Sequence, residues 1–76
     1  MKRYRAHQFN VLYNSYEACN DPINHDAGTR IGGLRADTKF IVLKSIGRSH
    51  NVVSGDQAGW IWASADSLAS MEVKES

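Results

Sequence analysis

The 76-residue chain holds a single cysteine and a single proline, and none of its apolar runs reaches seven residues. Cys19 alone excludes an internal disulfide, and so small a domain without staples is expected in a reducing, cytoplasmic compartment. The run Phe40, Ile41, Val42 and Leu43 is far too short for a signal-peptide core or a membrane span, so no membrane role is expected. Paired carboxylates and a phosphate-loop context around Gly32 and Gly33 are missing too. A chain of this length buries only roughly 60% of its unfolded surface, which leaves one core. A deep catalytic pocket would draw on a stability of only about 3 to 5 kcal/mol, so the expectation is a binding surface rather than an enzyme.

What is present suits a folded, soluble domain: 42% apolar and 22% charged residues, with a net charge of +1. The charge is uneven. Residues 1–50 sum to +4 and residues 51–76 to −3, an asymmetry that can mark a polyanion-binding half. Residues 1–8 read as a basic arm and residues 71–76 as a charged tail, both frayed or lying on the surface.

Between them the pattern is that of strands. Phe9, Val11 and Tyr13 alternate with Asn10, Leu12 and Asn14, and residues 14–28 read as a long loop broken at Asn20, Asp21 and Pro22. Residues 38–44 form the strongest β segment, with Phe40 and Val42 on one side and Ile41 and Leu43 on the other. Turns at Gly47 and Gly55 bracket a strand through Val52 and Val53, and Trp60 and Trp62 lie on a further one. Residues 63–68 suit a single 3₁₀ turn with Leu68 inward. Short strands at this spacing predict a five-stranded all-β barrel over residues 9–70, with a core of Trp60, Phe40, Val42, Ile31, Val52 and Leu68.

The segment Gly59, Trp60, Ile61, Trp62, Ala63, Ser64 with Leu68 resembles the closing strand and turn of the bacterial Src-homology-3-like domains. The stretch from Ile31 to Leu34 and on through Thr38 to Leu43 is similar to that family's second long strand, with Asp37 where the family has glycine. Asn10, Val11 and Leu12 stand where it commonly has Asn, Val and Arg. The resemblance covers residues 9–68 and implies a small barrel with a ligand groove beside its first loop. Leu12, the long first loop and His50 depart from the family's pattern, in which that loop and an aromatic residue at the His50 position help line the groove.

On this reading the contact surface is Tyr13, Tyr16, Asp21, His50 and Trp62: rings as anchors and one carboxylate for a basic partner group. The function expected is non-covalent recruitment or blocking of a protein partner, in the manner of small phage-type inhibitors of host machinery, and an open barrel edge would allow a homodimer. The alternative is a nucleic-acid face of Lys2, Arg3, Arg5, Arg30, Arg35 and Lys39, with Tyr4 stacking on a base. His7, His25, His50, Cys19, Asp21 and Asp26 match no metal-ligand spacing, and no base is placed to activate Cys19, so no metal, cofactor or catalytic residue is assigned.

Overall fold

The structure, a computed structural model, describes residues 2–21 and 29–73. Six antiparallel strands form one sheet: β1 Arg3–Arg5, β2 Asn10–Tyr13, β3 Arg30–Leu34, β4 Lys39–Ile46, β5 Ser49–Ser54 and β6 Gln57–Trp62, in the order β1-β4-β5-β6-β2-β3. Two short helices, α1 Tyr16–Asn20 and α2 Ala65–Ser70, complete the described chain. The protein is thus all-β in its sheet. Among the described residues no helix is long and apolar enough to cross a membrane.

Local chemistry explains the turns. Both the β4–β5 and β5–β6 hairpins close on two residues led by a glycine at positive φ, Gly47 at 60° and Gly55 at 59°, as tight two-residue loops require. In β4 the register shifts between Val42 and Lys44, leaving Leu43 as the extra residue of a bulge and therefore exposed. The bulge resets the alternation, so Phe40 and Val42 pack toward the core before it and Ser45 stands on that same side after it, opposite His50. Asp37, in the β3–β4 turn, sits at φ 68°, a left-handed conformation that aspartate tolerates better than most residues.

Tyr4, Leu12, Leu34, Phe40, Val52 and Ile61, one from each strand, meet in a single core with Ala6, Ala63, Leu68 and Met71. Each large aliphatic side chain here contributes about 1.5–3 kcal/mol by leaving water. The connection after β1 is tied to the β3–β4 turn: the Ala6 N–H donates to the Thr38 carbonyl at 2.9 Å, and the Asp37 N–H to the Ala6 carbonyl at 2.7 Å. A smaller cluster lies on the other side of the sheet, where Ala18 and Cys19 of α1 cover Tyr13, flanked by Val11 and Trp60.

Several expectations are corrected. The basic arm is a strand, because Tyr4 points inward between two outward arginines and stacks on Phe40 at 5.4 Å. The tail is also anchored as far as residue 73: Met71 is core, the Arg5 N–H donates to the Met71 carbonyl, and the Val73 N–H to that of Arg3, both at 2.8 Å. Part of the long loop is helical, since Ser15 caps α1 by accepting from the Ala18 N–H at 3.2 Å; residues 22–28 lie outside the described residues. The expected 3₁₀ turn is a short α-helix capped by Ser64. Ile31, placed in the core above, is 52% exposed because β3 is an edge strand and Leu34 supplies its inward side chain. Ile61, not Trp60, is the core residue of β6.

Candidate binding site

The alternation of β6 sends Ile61 into the core and Trp60 and Trp62 to the outer face. Trp60 is half-buried: Tyr16 of α1 meets it edge-to-face, ring centroids 5.7 Å apart at 63°, a favoured geometry for two quadrupoles. Trp62 lies beyond the reach of that cover and is 45% exposed. It borders a cleft of about 460 Å³, with His7 and Gln8 on the segment before β2, Asn10 at the start of β2, and Ser64, Ser67 and Ser70 on or beside α2. An exposed indole among neutral amide and hydroxyl groups offers apolar contact and directional hydrogen bonds without a fixed charge.

The five residues expected to form one contact surface separate. Trp62 is exposed in its cleft, and none of the other four lines it. Asp21 is exposed just past the end of α1, and Tyr16 is half-buried against Trp60. Tyr13 and His50 are corrected to interior positions. Tyr13 lies under α1, since strand alternation sends Leu12 into the core and Val11 and Tyr13 to the helix side. His50 is 3% exposed and held from both nitrogens: Nε2 lies 2.9 Å from the Ala63 carbonyl, and Nδ1 lies 2.7 Å from the Ser45 hydroxyl. A carbonyl only accepts, so Nε2 carries the proton that donates to it and Nδ1 accepts from Ser45. Both bonds fasten β5 to its neighbours and leave the ring nothing to offer a ligand.

Comparison with family profiles, curated proteins and solved structures finds no match to this chain.

Beneath α1, burial pushes the Cys19 thiol above its ordinary value of 9.0, partly offset by the neighbouring Ser49 hydroxyl. Ser49 is fully buried and Cys19 nearly so, and this corner is closed to solvent. His25 and Asp26 lie outside the described residues, and among the described residues no three His, Cys, Asp or Glu side chains converge.

The cations divide. Arg5 stands directly opposite Lys39, and Arg3 opposite Ile41, so these three positions share the outer face of the β1–β4 pair. Lys2 reaches Glu72 at 3.5 Å. Arg30 is on β3 at the far end of the strand order, and Arg35 is exposed in the turn after β3. Tyr4, expected to stack on a base, is buried, so the ring that would have made this a nucleic-acid face is spent on Phe40.

Sequence reasoning missed the polar walls of the Trp62 cleft. One wall comes from residues 7–10, more than fifty positions from Trp62 in the chain, and nothing local in His7 or Gln8 marks them as neighbours of a tryptophan.

Proposed function

We propose that the protein is a non-catalytic binding module on a small Src-homology-3-like barrel of the bacterial type, and that it recruits or blocks a protein partner through Trp62. Support for the barrel comes from the single core shared by all six strands and from the hydrogen bonds that join Ala6 to Asp37 and Thr38. Support for the binding site rests on one observation: Trp62 leaves 45% of a large indole in water beside a cleft, while Trp60 on the same face is covered. Exposed aromatic anchors beside concave surfaces are where binding energy concentrates in protein interfaces.

The reading predicts a partner retained by the tagged protein from a native lysate after nuclease treatment and lost with Trp62→Ala. The same variant should keep the wild-type unfolding midpoint. Retention of every captured protein by Trp62→Ala would refute the site, and a catch that vanishes with nuclease would refute the protein-partner reading.

A further inference from the structure

A second cleft, of about 300 Å³, lies on the opposite part of the sheet from Trp62. Its floor is aliphatic. Ile41 of β4 pairs with Val53 of β5, and Val73 closes one side where the chain runs back along β1. Its rim is cationic, with Arg3 and Lys39 lining it and Arg5 directly across the strand from Lys39. No carboxylate stands among the described residues that line it. Like charges placed directly opposite in a sheet destabilise it, so Arg5 facing Lys39 is a local cost that an anion arriving from outside would relieve.

We propose that this cleft binds an acidic–aliphatic peptide segment, its carboxylates meeting Lys39 and the β1 arginines while a neighbouring leucine- or valine-type side chain covers Ile41 and Val53. Charge complementarity selects an anion, and the floor selects which one. A sugar–phosphate backbone would satisfy the cations but lay a hydrated surface over two aliphatic side chains. Phe40 borders the cleft but is 3% exposed and stacked on the buried Tyr4, so neither ring presents a face to a base. A carboxylate borne beside an alkyl group gains from both the rim and the floor. This site shares no lining residue with the Trp62 cleft, so the two readings stand or fall separately.

The test is a titration of the full chain, followed by backbone amide NMR, with a hexapeptide alternating glutamate and leucine and blocked at both ends. Two controls replace every glutamate by glutamine or every leucine by serine, and a fourth arm uses a ten-nucleotide single-stranded oligothymidine. The alternating peptide should shift the amides of Lys39, Ile41 and Val53, and bind about ten-fold tighter than either control, the loss expected when a charged or apolar contact is removed. Arg5→Glu, which turns a repulsive cross-strand pair into an attractive one and so should fold, should weaken that binding about five-fold or more while leaving the Trp62 indole signal in place. Equal binding of the serine control, tighter binding of the oligonucleotide, shifts centred on Trp62, or no shift at all would each overturn the proposal.

Discussion

Trp60 and Trp62 occupy the same face of one strand, two residues apart, yet one is packed and the other is open. The difference is α1, whose Tyr16 packs edge-to-face on Trp60 and leaves Trp62 open. At one opening stands a single indole among uncharged polar groups; at the other, a cationic rim over Ile41 and Val53. One face of the sheet therefore carries a ring packed under a short helix and two openings of different chemistry. The identity of a side chain says little about its role until the cover above it is known.

That contrast can be broken most forcefully at the crossing on which it depends. β6 approaches β2 so closely at Gly59 that a Cβ there would lie 2.6 Å from the Tyr13 carbonyl oxygen and 2.8 Å from the Leu12 side chain. Gly59→Ala should cost about 2–3 kcal/mol by overpacking, read as a lowered urea midpoint, and disturb both tryptophans together. The tryptophans themselves come next. Trp60→Ala should cost about 2 kcal/mol, because it removes ring area packed under α1, whereas Trp62→Ala should change stability by less than about 1 kcal/mol. Equal losses in chemical denaturation would erase the distinction between them.

At the cationic end, Arg5→Glu should raise stability by about 0.2–1 kcal/mol by giving Lys39 an opposite partner. Thermal unfolding at low and high salt should show that gain shrink as the charges are screened. The smallest effect belongs to the thiol beneath α1. Well below pH 9.0 the Cys19 thiol is protonated in both folded and unfolded chains and contributes no pH dependence. As pH rises past that value the unfolded chain releases its proton first, since burial holds the folded thiol higher, and stability falls. The difference in urea midpoint between wild type and Cys19→Ala should therefore change between pH 8 and pH 10 in the direction that disfavours the wild type. No change would mean that α1 does not seal the thiol.

How much of this was legible in the chain depends on range. Gly47 and Gly55 mark their turns because a two-residue hairpin needs a backbone that only glycine adopts cheaply. The alternation of Phe40 with Val42, and of Trp60 with Trp62, places each pair on one face because successive side chains of a strand oppose each other. Which face became the core was not legible. Ile61 and the two tryptophans are all apolar, and only the pairing of β6 with β5 and β2 turns Ile61 inward. Nor was β1, whose three residues make a pattern too short to distinguish from a solvated basic arm until Tyr4 finds Phe40. His50 reads as a surface ring until Ser45 and Ala63 satisfy its nitrogens.

By itself the sequence determined an all-β chain with glycine hairpins and most of its strands, since these follow from backbone sterics and from alternation between near neighbours. The tertiary structure alone decided the sixth strand, the inward side of β6, the burial of Tyr13 and His50, and the separation of Trp62 from the residues expected beside it. Those outcomes depend on pairings between distant segments and on what α1 covers, and burial is a property of the neighbours a side chain meets rather than of the side chain.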